Sequence, residues 1–181
     1  MTNQNLRQPG TPKVWLNGSI VAEDKAWVSL FDRGYLYGDG LFETMRAYNG
    51  RVFRLQQHLD RLQAGAATIA LSLPYSQNDI AAAITGLLIE NGLIDAYLRL
   101  SVSRGVGLGP VPPSDTSPTV SIIARPLSLP TPEEYRQGWS AVFAASLLAP
   151  NERWAYIKPL SYLDKLLARQ EALKAGANEA I

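Results

Sequence analysis

The chain has 181 residues, of which 46% are apolar and 18% charged, so it is long and apolar enough to bury a core and is not a disordered polypeptide. Lys and Arg number 17 against 16 acidic residues, and a formal net charge of +1 gives no electrostatic case for a nucleic-acid or membrane surface. There is no cysteine and a single histidine, His58, which excludes disulfides, thiolate catalysis and cysteine-built zinc sites and leaves a histidine-built metal centre without its ligands.

Residues 1–12 read as a flexible polar arm without the apolar stretch of a signal peptide, and no apolar run approaches the length of a membrane span. We therefore expect a soluble, cytoplasmic protein. "VWLNGSIV" (14–21) and "TMRAYNGRVFRL" (44–55) each place Asn-Gly between strand-like residues, the signal of a tight hairpin. Two such hairpins suit one antiparallel sheet. "QQHLDRLQAGAATIAL" (56–71) sets Leu59, Leu62, Ala66 and Ile69 on one helical face, with Pro74 as its stop. Ser76 and Asp79 mark the start of a second helix that turns Ile80, Ala83, Ile84 and Leu87 inward and ends at Asn91-Gly92.

"AYLRLSVS" (96–103) and "TVSIIA" (119–124) alternate as strands, and the Gly- and Pro-rich "RGVGLGPVPPSDTSP" (104–118) between them is a loop. These elements form a small α/β domain over 13–124. Three prolines in "RPLSLPTPEE" mark 125–134 as an interdomain linker. In the remaining 135–181, "WSAVFAAS" (139–146) reads as a strand and Ser161 to Ala175 as a helix ended by Gly176. A second unit this short has trouble burying a core of its own, and an apolar element starts at "NEAI". A fragment, or a partner that supplies the rest, is the expectation.

Four constellations carry possible chemistry. In "RGYLYGDGLFETMR" (33–46), glycines admit close backbone approach around Asp39 and Glu43; the tyrosines, Phe42 and Glu43 either line a pocket or the stretch is a loop and strand with structural aromatics. The amides of "RGVGLGP" either cradle a phosphate or belong to a plain surface loop; the P-loop Lys-Ser/Thr and the Rossmann spacing are absent. His58 and Arg61 in "HLDRL" are helical neighbours, and Arg61 either grips a phosphate with its planar fork or sits on a solvated face. Lys158 in "AYIKPL" either snorkels to water or is a desolvated amine, nucleophilic toward aldehydes. Lys165 falls on the polar face of the following helix.

In their order and spacing, "RGYLYGDGLFETMRAYNG", "FRLQQHLDRL", "AYLRLSVSRGVGLGP" and "IKPLSYLDKLLARQEALKAGANEA" resemble the class IV (fold type IV) pyridoxal-phosphate enzymes. That family includes branched-chain aminotransferases, D-amino-acid aminotransferases and aminodeoxychorismate lyases. The resemblance, from Val14 to Ile181, implies an α+β fold: a small N-terminal antiparallel sheet with helices, then the first part of a larger C-terminal cofactor-binding domain, truncated. It implies pyridoxal 5′-phosphate as cofactor and Lys158 as the Schiff-base lysine that also carries the substrate Cα proton. It makes Arg61 the phosphate-binding arginine and places Tyr162 against the cofactor's phenolic oxygen. Tyr37, Phe42, Tyr97, Arg99 and Leu108 become substrate-binding residues, Leu108 in a loop that reaches the partner subunit of a homodimer.

The implied reaction moves an amino group from an amino acid to a 2-keto acid. Arg99, Tyr97, Tyr162 and the "GLG-x-x-PP" run favour the branched-chain type, whereas "GDGLFET" is the mark of the aminodeoxychorismate lyase, which makes 4-aminobenzoate and pyruvate. The arginine–histidine pair of D-amino-acid aminotransferases has no match in "RGVGLGPVPP". The family also places a glutamate in a "(V/T)-x-E-G" block beyond these residues, and Glu179 comes too early to stand in for it. A third reading is therefore a catalytically incomplete domain.

Overall fold

The computed structural model describes residues 11–145 and 156–181, so most of the arm expected at 1–12 and the stretch 146–155 lie outside the described residues. Both Asn-Gly pairs form the expected hairpins. Asn17 and Gly18, at φ 46° and 96°, turn β1 (Lys13–Leu16) into β2 (Ser19–Ala22). Asn49 and Gly50, at φ 50° and 73°, turn β3 (Gly40–Tyr48) into β4 (Arg51–Val52). Positive φ at both turn residues matches the twist of the flanking strands.

The hairpins sit at opposite edges of a six-stranded antiparallel sheet of order β2-β1-β6-β5-β3-β4, with β5 (Ala96–Ser103) and β6 (Thr119–Pro126) between them. Register pairs Leu41 with Val102, Met45 with Leu98 and Leu100 with Ile122. Alternation sends these six side chains to one face. There α2 (Leu55–Thr68) lies on β3, and α3 (Gln77–Glu90) lies on β1 and β6. Leu59, Leu62 and Ala66 of α2 and Ile80, Ile84 and Leu87 of α3 close a core that also takes in Trp15 and Ile157. The other face carries Phe42 and Thr44 of β3 beside Ser101 and Arg99 of β5.

α3 starts on the expected Ser76–Asp79 capping box and ends at Asn91. α2, by contrast, stops at Thr68, well short of Pro74. The chain turns off the helix at Ala70, which takes a left-handed φ of 49° while the Leu71 amide donates to the Ala66 carbonyl at 2.8 Å and the Ala70 amide to the Ala67 carbonyl at 3.2 Å. Arg104 donates to the freed carbonyls of Ile69 and Ala70.

Three expectations need correction. The first is the loop-and-strand reading of 33–46, where a one-turn helix α1 (Arg33–Tyr37) forms because the Asp32 carboxylate caps the amide of Gly34. Second, 125–134 is not a bare linker: β6 continues to Pro126, and α4 (Pro132–Gln137) begins on a Thr131–Glu134 capping box. Pro132 occupies the first helical turn, where a missing N–H costs nothing. Third, of the strand expected over 139–146, residue 146 lies outside the described residues, and 139–145 is a strand only at β7 (Ala141–Val142), which pairs parallel with β8 (Glu179–Ala180). Single backbone bonds extend the pairing on either side: the Ser140 carbonyl accepts from the amides of Asn178 and Glu179, and the Ala144 amide donates to the Ile181 carbonyl at 3.0 Å, while Phe143 is 85% exposed. The C-terminal helix α5 (Leu163–Lys174) keeps to its expected span. Among the described residues no helix is long and apolar enough to cross a membrane.

Candidate functional site

The segment Ile157–Leu160 docks antiparallel along the start of β3. The Phe42 amide donates to the Lys158 carbonyl and the Leu160 amide to the Gly40 carbonyl, both at 2.9 Å. Pro159 sits opposite Leu41, where its missing N–H leaves no ladder bond unmade. Alternation along this segment sends Ile157 into the core and Lys158 away from it. Glycine makes the docking possible: a Cβ on Gly40 would lie 2.3 Å from the Val102 carbonyl oxygen and 2.6 Å from Leu160 Cδ1, and one on Gly38 would lie 2.8 Å from Ser161 Cβ. The glycines of "RGYLYGDG" are thus the seat of the lysine segment.

Lys158 Nζ lies 4.5 Å from the centroid of the buried Phe42 ring and 5.9 Å from that of Tyr162. The two rings meet edge to face at 5.5 Å. Arg99 stacks on Phe42 with its guanidinium carbon 3.8 Å from the centroid. Burial pushes the Lys158 amine below its ordinary pKa; the charge of Glu43 opposes this, and those of Arg61 and Arg99 reinforce it. A larger neutral fraction makes this amine a better nucleophile and base.

On the helix-covered side, Glu43 is 1% exposed and does not line an open pocket, correcting that expectation. It lies under α2, where its carboxylate accepts from Arg61 Nε at 2.6 Å and Nη2 at 2.5 Å. His58 Nδ1 is 2.7 Å from the same Oε2. A carboxylate only accepts, so that nitrogen carries the proton. The sequence marked His58 and Arg61 as neighbours but missed their shared partner. The available signal was a carboxylate between Leu41 and Met45 on the core-facing period of a strand.

A second ion-pair group frames the site. Asp39 Oδ2 accepts from Arg33 Nε at 2.8 Å and Arg104 Nε at 2.9 Å. Burial raises the Asp39 pKa, but hydrogen bonds from Arg104 and Arg33, with their charges, more than offset it and hold the carboxyl below its ordinary value. Arg33 also donates to the Gly109 carbonyl at 2.7 Å, and the Tyr37 hydroxyl accepts from the Gly109 amide at 3.0 Å. Tyr37 therefore ties α1 to the loop that carries Leu108, itself 65% exposed. The amides of Gly105, Gly107 and Gly109 are engaged, with Ser103, Phe31 and Tyr37, so these three do not form a phosphate cradle.

A depressed folded-state pKa means that Asp39 contributes stability above its ordinary value of 3.8 and loses it as pH falls below that. Asp39→Asn is expected to cost about 3 kcal/mol in urea unfolding at pH 7, since two largely buried guanidiniums lose their counter-charge. The gap from wild type should narrow toward pH 3. A gap that stays constant with pH would mean the ion pairs do not supply it.

Of the residues singled out from the sequence, Lys158, Phe42, Tyr162 and Arg99 come together, with Arg61 close enough for its charge to act on Lys158. Tyr97 precedes Arg99 by two residues on the same strand face, paired in register with Arg46 and Arg125. Tyr37 and Leu108 belong to the loop anchorage. Glu179, in β8, is committed to an ion pair with Arg169.

Residues 40–181 match the family model described as amino-transferase class IV. A putative branched-chain-amino-acid aminotransferase of Methanocaldococcus jannaschii is 40% identical over 170 residues, covering 93% of this chain and 58% of that one. A D-alanine aminotransferase of Staphylococcus epidermidis is 34% identical over 175 residues, covering 93% and 59%. The crystal structure of the branched-chain amino acid aminotransferase of Escherichia coli superposes with a TM-score of 0.86 at 30% identity, covering 95% of this chain and 59% of that one. The chain thus spans a little under three-fifths of the length of these relatives.

Proposed function

The chain belongs to the class IV aminotransferase family, and on that premise we propose that it carries the lysine-bearing part of a pyridoxal-phosphate-dependent, branched-chain-type aminotransferase. The observation that carries the reading is the Lys158 amine, half-buried on the Phe42 and Tyr162 rings with its pKa lowered.

The donor set fits the cofactor. An aldehyde needs a neutral amine, an aromatic ring needs apolar walls, and a phosphate needs a cation with unfilled donors. Lys158, the Phe42–Tyr162 pair and Arg61 have those properties in turn, and Arg61 keeps its outer edge clear of Glu43. When bound, pyridoxal 5′-phosphate supplies the aldehyde and the electron-withdrawing ring. Lys158 would hold that aldehyde and, once the substrate amine had displaced it, its freed amine would carry the proton from the substrate Cα to the former aldehyde carbon. Arg61 binds the phosphate, and Tyr162 orients the phenolic oxygen. Arg99, braced on Phe42 and by Ser101, takes the substrate carboxylate. Phe42, Tyr97, Tyr37 and Leu108 shape the side-chain pocket. The exposed Leu108 and Val111 support a homodimer in which this loop meets the partner.

The test is an assay of the full native polypeptide with L-leucine or D-alanine and 2-oxoglutarate. Glutamate formed faster from L-leucine supports the reading. Preference for D-alanine overturns the branched-chain assignment, and 4-aminobenzoate released from aminodeoxychorismate without transamination overturns the reaction class.

A further inference from the structure

Arg61 is not a free cation. Its Nε and Nη2 form a two-bond fork on a carboxylate that is itself almost fully buried, while about half of the Arg61 side chain is exposed. Such a fork fixes the plane of a guanidinium, which a single hydrogen bond does not. Two of the five N–H donors point at Glu43, and the edge formed by Nη1 and the second Nη2 hydrogen remains. His58 braces the same Glu43 oxygen from the preceding turn of α2. The fold itself does not call for a charge at position 43: its neighbours on that strand face, Leu41 and Met45, are apolar, and an apolar residue there would fill the same space without a buried ion pair.

We propose that Glu43 is a positioning residue whose buried carboxylate locks the Arg61 guanidinium in one orientation and leaves its outer edge to grip a phosphate monoester, with His58 as the brace. This rests on the cofactor reading above and adds a residue to it. Glu43 does not touch the phosphate; it acts through Arg61. It also keeps a negative charge beside two cations, Arg61 and Lys158, so that filling the phosphate grip and tuning the lysine share one group.

The test compares affinities for pyridoxal 5′-phosphate and pyridoxal, which differ in the phosphoryl group alone. It uses wild type, Glu43→Gln, Arg61→Ala and the double variant, in the full native polypeptide with folding checked by circular dichroism. The ratio of the two affinities cancels any effect on the lysine. Glu43→Gln is expected to lower that ratio about tenfold, the size of a lost charge-assisted contact, and to change nothing further in the Arg61→Ala background. A purely structural role would move both affinities together and leave the ratio alone, which would overturn the proposal. A wild type that does not distinguish the two aldehydes overturns the cofactor reading and this inference with it. Nitrogen-15 NMR of the arginine Nε–H groups gives a second measure, independent of any ligand and of whether Glu43→Gln folds. Arg61 is expected to show a protected Nε–H in wild type, and rapid exchange there would contradict the lock.

Discussion

Lys158→Ala is expected to abolish borohydride-fixed attachment of pyridoxal 5′-phosphate and to lower transamination by about 10²–10⁴-fold from the lost proton transfer alone. The protein should still fold, because the Lys158 side chain points away from the core and its backbone carbonyl, which holds Phe42, is kept. Lys158→Arg should not rescue, since a guanidinium stays protonated and is no nucleophile. In wild type, the rate of attachment should rise with pH to a midpoint below the ordinary lysine value of 10.5, because the neutral amine is the reacting form and burial favours it. A midpoint at or above 10.5 would mean that Lys158 is solvated and the site is elsewhere.

Gly40→Ala carries the second large effect. Its Cβ would meet the Val102 carbonyl oxygen at 2.3 Å, Leu160 Cδ1 at 2.6 Å and Ser103 Cα at 2.8 Å, and two of these are backbone atoms that cannot swing aside. Relief requires β3 to part from β5 or the 157–160 segment to leave β3. We expect a loss of about 3 kcal/mol or more, the upper end of overpacking costs, seen as a fall in Tm of roughly 6–12 °C. Lys158 attachment should fall even at temperatures where the variant is folded, because the Phe42–Lys158 and Gly40–Leu160 backbone bonds hold the lysine in place. Gly86→Ala is the control. Gly86 lies within α3, where a Cβ would meet only Ile20 Cδ1 at 3.6 Å, so the same change should be neutral or stabilising. Equal losses at both positions would show that the effect is not specific to the lysine seat.

What could be read from the sequence was what short spans encode. Asn17-Gly18 and Asn49-Gly50 carry their hairpins in two residues each, and Ser76 with Asp79 carries the start of α3. What could not be read depends on distant partners. The end of α2 comes at a left-handed Ala70, a position no glycine or asparagine announces, and the carbonyls freed there are satisfied by Arg104 from beyond β5. β7 forms only where it meets Glu179–Ala180, a partner from the other side of α5. For Lys158, the apolar run and the proline were visible, but the surroundings that bear on the open choice between snorkelling and chemistry, Phe42 and Arg99, belong to strands distant in the sequence. The resemblance to class IV enzymes supplied Arg61 and Tyr162 as companions. It did not supply Glu43, whose meaning lies in the fold of α2 over β3.

The central claim is that the docked amine of Lys158, and no other, is the point of covalent attachment. The direct measurement is peptide mapping by mass spectrometry after borohydride reduction with pyridoxal 5′-phosphate. A single modified position, Lys158, is expected, with Lys165 unmodified on the solvent face of α5, where it neighbours Asp164. Modification at Lys165, or equal labelling of several exposed lysines, would contradict it.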